Sequence, residues 1–280
     1  MKLYTIDTGF FKLDGGAMFG VVPKTIWQKT NPADENNLCT WAMRCLLVED
    51  GDKLILIDTG IGTKMNPKQA GYYYLHGEAS LLTSIQKLGF GAEDITDVFH
   101  THLHFDHCGG SVIYSSDRTK FELTFPRATY WTNPDHLQWA TEPNAREKAS
   151  FLKENIQPLA DSNQLQFTEV NGSSSFPTFN IRYVNGHTDK MMLPVISYKE
   201  HTLVYMADLI PSVGHLPVPY VMGYDTRPLL TLEEKTSFLQ EAADQNYILF
   251  FEHDPEHECC TVKHTDQGVR LNETFRLADI

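Results

Sequence analysis

Residues 100–110 read His-Thr-His-Leu-His-Phe-Asp-His-Cys-Gly-Gly, and within them His102, His104, Asp106 and His107 put three imidazoles and a carboxylate into six positions. Side chains this polar are costly to bury unless something pairs with them. Neutral imidazole together with carboxylate is the donor set that zinc and its first-row neighbours take. A chain carrying this run must therefore deliver it to a place where the backbone can curl around a cation, and its flanks show how. Ile95-Thr96-Asp97-Val98-Phe99-His100 has the alternating pattern of a strand, and Gly109-Gly110 permits a tight turn. The ligand types thus sit where a strand gives way to a loop. Alternate residues of an extended segment share a face, so His102 and His104 can grip one ion. Asp106 and His107, beyond the change of direction, can reach a second.

Strand-like segments dominate both halves of the 280 residues, with a few helices between them. Met43–Glu49 and Lys53–Asp58 read as a hairpin about Asp50-Gly51-Asp52. Leu81, Leu82, Ile85 and Leu88 give Glu78–Leu88 a helical spacing, and His136–Ala140 and Ala145–Leu159 are the next helical segments. Phe179–Val184, Leu193–Tyr198 and Thr202–Ala207 read as strands. A helix is expected over Leu232–Ala243, capped by Thr231 with Glu234 three residues on, before a closing strand at Tyr247–Glu252. Two apolar strands run into an aspartate, Leu54–Asp58 and Leu203–Asp208, as an internal echo. Two related halves, each a sheet covered by helices, would give that echo. Packed sheet against sheet with helices outside, they make an α+β, four-layer αββα sandwich, and residues 1–280 are enough to hold it as a single domain. Residues 17–37, rich in Gly, Pro and Asn, read as a loop or arm that covers the active site or reaches a second subunit.

Composition excludes several classes. The net charge is −13, and no cluster of Lys and Arg stands ready for a phosphate backbone, which argues against a nucleic-acid partner. No apolar run approaches the roughly 20 residues needed to cross a bilayer, so no membrane partner is expected. The first residues, Met1-Lys2-Leu3-Tyr4-Thr5-Ile6-Asp7, lack the apolar stretch of a secretory signal, and a cytoplasmic location follows as the expectation. Five cysteines without a Cys-x-x-Cys pair read as reduced thiols.

Two ions in a hydrolytic site need more than four protein ligands, and three later residues have the right type and setting. His187 follows Gly186 just beyond a strand, Asp208 ends the apolar run Leu203–Ala207, and His253 follows the strongly apolar Tyr247–Phe251. The motif His-x-His-x-Asp-His-x-Gly-Gly, the upstream Asp58-Thr59-Gly60, then Gly-His, a strand-terminal Asp and a late His resemble the metallo-β-lactamase-fold hydrolases, from about residue 40 to residue 255. Carried over position by position, the resemblance implies that His102, His104 and His187 hold a first metal. Asp106, His107 and His253 hold a second, and Asp208 bridges both. The ions would be two divalent metals, zinc first, with manganese, iron or cobalt as alternatives. Asp58 reads as a support that accepts hydrogen bonds from loop amides or orients a ligating imidazole.

The gap between His107 and His187, the segment Gly20–Trp27 and the run Ala207-Asp208-Leu209 make the chain similar in pattern to the methyl-parathion hydrolase and lactonase branch. The implied reaction is hydrolysis of an ester, lactone or phosphotriester by a metal-bridging hydroxide, with Asp106 and Asp208 as catalytic residues that orient it and can move a proton. Phe19, Trp27 and Phe105 would line an apolar pocket for a small-molecule substrate. Lactone-cleaving relatives often carry a tyrosine three positions after the bridging aspartate; Pro211 stands there, and Tyr220 or Tyr224 of the next loop would take its part. The resemblance also implies a homodimer. Two alternatives share the motif: a glyoxalase II-like thioesterase, and a catalytically silent metal-binding sensor domain. The thioesterases append a helical region, whereas 27 residues follow His253 here.

Overall fold

The computed structural model describes residues 1–170 and 175–280. Its chain divides into two compact units, one of Met1–Gly9 with Met43–Ser174, the other of Phe10–Ala42 with Ser175–Ile280.

In the first unit the strands, in chain order, are β1 (Lys2–Asp14), β2 (Leu38–Asp50), β3 (Lys53–Ile57), β4 (Asp97–Phe99), β5 (Val112–Tyr114), β6 (Phe121–Leu123), β7 (Thr129–Thr132) and β8 (Leu165–Phe167); β1 and β2 continue past the boundary between units. Among the described residues they form a six-stranded sheet of order β1-β2-β3-β4-β7-β8, with β5 and β6 paired separately. The expected hairpin is present: β2 and β3 pair antiparallel from Leu46↔Ile57 to Asp50↔Lys53, and Gly51 at φ +61° supplies the left-handed turn residue. From β3 onward the sheet is parallel, β3 to β4 to β7 to β8. Such strands are covered on both faces, which is why Leu54-Ile55-Leu56-Ile57 is apolar without alternation. Leu47, Leu56, Val98 and Tyr130 of the sheet bury against Ile85 and Leu159 of the helices, at about 1.5–3 kcal/mol for each large side chain fully withdrawn from water.

Two predicted helices are shorter than their apolar spacing suggests. The first begins at Leu81 rather than Glu78, because the Ser80 and Thr83 side chains each accept from the other's backbone N–H in a capping box. The second runs over Lys153–Ala160, and residues 145–150 are turns instead. There the Asn144 Oδ1 takes the N–H groups of Arg146 and Glu147, a local bond that competes with the helix.

The second unit carries β9 (Ser175–Phe176), β10 (Phe179–Val184), β11 (Met191–Tyr198), β12 (His201–Tyr205), β13 (Ile248–Phe250), β14 (Cys259–Thr265) and β15 (Gly268–Phe275), ordered β15-β14-β13-β12-β11-β10-β9. Its pairs are antiparallel except β12 with β13, which is parallel. That pair needs a crossover, and the helix Pro228–Gln245 supplies it. The helix starts four residues before Leu232, with Pro228 in the first turn where its missing N–H costs nothing. Thr231 is therefore inside the helix and not its cap. The Glu234 carboxylate is spent outside it, on the N–H groups of Asn185 and Gly186. Of residues 17–37, Met18, Phe19, Val22, Trp27 and Asn31 are buried, and two short helices, Gly15–Phe19 and Lys24–Trp27, form there.

Both sheets are mixed and flanked by helices, an α+β arrangement. The five cysteines are buried, and none is joined to another by a disulfide among the described residues. Among the described residues no helix is long and apolar enough to cross a membrane.

Candidate metal centre

In the first unit the motif begins where β4 ends. Asp58, just past the end of β3, takes φ +57°, a conformation that aspartate tolerates better than most residues, and its buried carboxylate turns toward the loop after β4. Oδ1 accepts from the Thr101 N–H at 2.8 Å, and Oδ2 accepts from the Thr101 hydroxyl at 2.7 Å and from His107 Nδ1 at 3.1 Å. These bonds fix tautomers. With Nδ1–H donated to Asp58, His107 presents the lone pair of Nε2. Thr101 has spent its proton on Asp58, so it accepts from His102 Nδ1 at 3.0 Å, and the Nε2 of His102 is left with a lone pair.

His104 is held the other way round. Its Nε2 lies 2.9 Å from Oε1 of Glu147, which leaves the lone pair on Nδ1. His102 Nε2 and His104 Nδ1 are 3.0 Å apart. Two imidazole nitrogens at that distance must share either a proton or a metal cation. A tetrahedral zinc site with Zn–N bonds of 2.0–2.1 Å spaces its nitrogens about 3.3 Å apart. The donor set of this loop fits a divalent ion. Asp106 is buried beside it, with Oδ2 4.0 Å from His107 Nε2.

The loop is pinned from several sides. His136 Nε2 accepts the Leu103 N–H at 2.9 Å, and Thr59 N–H reaches the carbonyl of His107 at 2.7 Å. His100 bonds the Ser111 hydroxyl at 2.7 Å, and complete burial holds its pKa down at about 4, so it stays neutral. The two glycines are a steric requirement: a Cβ on Gly109 would stand 2.3 Å from the Ile61 carbonyl oxygen, and one on Gly110 would stand 2.2 Å from that of Thr59.

In the second unit Gly186 lies against the first turns of the Pro228–Gln245 helix, and His187 follows it. His187 Nδ1 is 2.9 Å from Oδ1 of Asp225, and its Nε2 is 3.0 Å from Oδ2 of Asp208. Asp208 lies three residues past the end of β12 and follows Ala207, which takes φ +42°. His253 is three residues past β13; its Nδ1 is bonded to the Ala42 carbonyl at 2.8 Å, and its Nε2 lies 3.1 Å from Oδ1 of Asp208. Each oxygen of one buried carboxylate thus faces one imidazole. Burial on its own would lower the pKa of His187, but Asp208 and then Asp225 outweigh it and raise the pKa to about 10. The spot draws positive charge strongly.

The five aromatic residues expected around a substrate have different settings. Phe19 is stacked between the rings of His215, 4.2 Å away at 8°, and Trp27, 5.3 Å away at 5°, with the edge of Tyr220 at 6.3 Å. Phe19 and Trp27 are fully buried in the second unit, whereas Tyr224 is 40% exposed. Phe105 belongs to the first unit, where it packs on Tyr73 with ring centres 4.7 Å apart. His215 bonds the Ser212 hydroxyl and the Met18 carbonyl, and burial pushes its pKa down to about 3.

Sequence reasoning missed Thr101, Glu147 and Asp225, the residues that decide which imidazole nitrogen carries the proton. A polar residue in a loop carries no pattern that announces such a role.

The profile of the Metallo-beta-lactamase superfamily matches residues 44–253, and the chain belongs to that superfamily. It is a metal-dependent hydrolase of that family, with the family's α+β fold. An N-acyl homoserine lactonase of Bacillus cereus is 24% identical over 271 residues, which cover 92% of this chain and 94% of the lactonase. A crystal structure described as a probable metal-dependent hydrolase from Staphylococcus aureus superposes with a TM-score of 0.86 at 26% identity, covering 98% of this chain and 96% of that one. AidC, a dizinc quorum-quenching lactonase bound to its product N-hexanoyl-L-homoserine, superposes with a TM-score of 0.78 at 26% identity, covering 98% and 95%.

Proposed function

We propose that this hydrolase opens a lactone ring, with simple esters and phosphotriesters as slower substrates, and that it works with two divalent ions, zinc first. His102, His104, Asp106, His107, His187, Asp208 and His253 are the proposed ligands, as the family resemblance implies. The observation that carries the reading is the pair of imidazole lone pairs opposed at 3.0 Å in the His102–His104 loop, in a chain similar to lactonases over nearly its whole length. Two bound ions would supply Lewis acidity and a water acidic enough to attack near neutral pH.

The protein's own part is to hold these groups ready. Asp208 offers one oxygen to the side of His187 and the other to the side of His253, so a single carboxylate can serve both ions. Asp106 adds negative charge beside His107 and is the proposed partner of Asp208 in orienting the attacking water and moving a proton. Pro211 supplies no hydroxyl where lactonases often have tyrosine, so polarising the substrate carbonyl would fall to bound ions and to a phenol from elsewhere. Five buried cysteines outside any disulfide suit a reducing, cytoplasmic setting.

The test is a turnover screen of zinc-replete protein against acyl-lactones of varied chain length, aryl esters and paraoxon-like triesters, with metal counted by elemental analysis. Two ions per chain and a kcat/KM for lactones at least 100-fold above the other classes are expected. Loss of essentially all turnover is expected in His102→Ala and in Asp208→Ala. Two bound ions without turnover on any class would overturn the reading in favour of a silent sensor; a preference for thioesters would favour the glyoxalase II-like alternative.

A further inference from the structure

Glu147 sits in the turn between the helices Pro134–Thr141 and Lys153–Ala160, and it is 3% exposed. A carboxylate withdrawn this far from water must be fully paired to be tolerated. Three donors meet it. Trp139 Nε1 and Asn144 Nδ2 donate to Oε2 at 2.7 and 3.1 Å, and His104 Nε2 faces Oε1 at 2.9 Å. None of these contacts is adjustable. An indole N–H can only donate. Asn144 is oriented by the two backbone N–H groups on its Oδ1, so its amino group must point at Glu147. The ring of Phe151 packs on His104 at 4.8 Å and limits its rotation.

We propose that Glu147 is a positioning residue for metal binding: by accepting the Nε2–H of His104 it compels that ring to offer Nδ1 beside the Nε2 of His102. The other tautomer would aim an N–H at His102 and bind nothing. The inference rests on the metal reading above and adds to it the group that sets the ligand. It also explains why a buried acid lies on a loop that forms no part of the motif.

Glu147→Gln is the informative variant, because it keeps volume while exchanging one acceptor oxygen, and the carboxylate charge, for an NH2 donor. Its amide group meets a conflict in either orientation. With NH2 toward Trp139 and Asn144, three donors confront one another. With NH2 toward His104, the imidazole is pushed to the Nδ1–H tautomer. Zinc affinity is read by competition with a chromogenic chelator, and the tautomer by 15N shifts of the imidazoles in the zinc-loaded protein. Thermal unfolding in excess chelator checks the fold.

Wild type is expected to keep the Nε2–H of His104. Glu147→Gln should bind one ion 10–100-fold more weakly, the usual cost of losing such a support, with the second ion within threefold of wild type. Glu147→Asp, which still accepts, should recover part of the loss, and it carries the test if Glu147→Gln does not fold. Folded Glu147→Gln that binds both ions within threefold of wild type would overturn the role of Glu147. Wild type that binds no divalent ion would instead overturn the metal reading itself.

Discussion

Gly186→Ala should be among the most damaging conservative changes available, although it adds one methyl group. A Cβ at this position would stand 2.3 Å from the Thr231 hydroxyl oxygen, 2.5 Å from its backbone nitrogen and 2.6 Å from its Cα. Two of those atoms are helix backbone in the Pro228–Gln245 helix, so they cannot rotate away. The loop cannot simply retreat either, because the Glu234 carboxylate ties the N–H groups of Asn185 and Gly186 to that helix at 2.7 and 2.9 Å. Overpacking of this kind costs about 1–3 kcal/mol. Separating loop from helix far enough to admit the methyl sacrifices at least one hydrogen bond to a charged group, about 1.5–3 kcal/mol more. A loss on the order of 3–5 kcal/mol follows, a large part of the stability of an ordinary domain. It corresponds to roughly 6–20 °C in Tm for a chain of this size. Urea unfolding followed by tryptophan fluorescence measures it, with chelator present so that metal binding does not enter. Because His187 is the next residue, zinc affinity should fall as well. A destabilisation below 1 kcal/mol with an unchanged m-value would refute the steric reasoning.

Gly71→Ala makes the opposite case: it lies in the helix Pro67–Tyr73 with nothing within 4 Å of an added Cβ, so thermal unfolding should show a gain of about 0.5–1 kcal/mol. Lys235 is fully buried, its Nζ donating to the carbonyls of Pro217 and Tyr220 at 2.9 Å each, and burial lowers its pKa to about 7 against the opposing pull of Asp225. Between that value and the ordinary lysine pKa of 10.5 the unfolded chain holds a proton that the folded chain has lost. Folding stability contributed by this group therefore rises with pH from about 7 and is lost again as pH falls back to 7. Lys235→Met removes the dependence, so wild type should gain about 2–3 kcal/mol on the variant between pH 7 and pH 9 in urea titrations; a constant difference would exclude it.

How much of this was legible in the sequence depends on where the physical signal lay. The strands around the motif were readable because parallel strands covered on both faces must be continuously apolar, as Leu54–Ile57 and Ile248–Phe250 are. The donor types were readable because their density at 102–107 exceeds anything packing requires. Helix limits were less so. Apolar spacing at 145–159 suits a helix, yet Asn144 and Glu147 are committed to other bonds, and only Lys153–Ala160 is helical. Thr231 and Glu234 have the spacing of a cap, but Pro228 starts the helix earlier and Glu234 fastens the Gly186 loop.

The same limit applies to what surrounds each imidazole. A ligand's position follows from where its strand ends, which is a local property that neighbouring residues reveal. The acceptor for its second nitrogen only has to arrive within about 3 Å, and any chemistry that accepts will serve. His107 uses the Asp58 carboxylate, His102 a threonine hydroxyl, His104 the carboxylate of Glu147 from a turn, His187 that of Asp225, and His253 the main-chain carbonyl of Ala42. The last has no residue-type signature at all. Three of these supports are carboxylates, but the five come from 42 to 225 in the chain and share no spacing. Asp58 was legible beforehand; the folded backbone reveals the other four, and together they decide which nitrogen each ring can give to a cation.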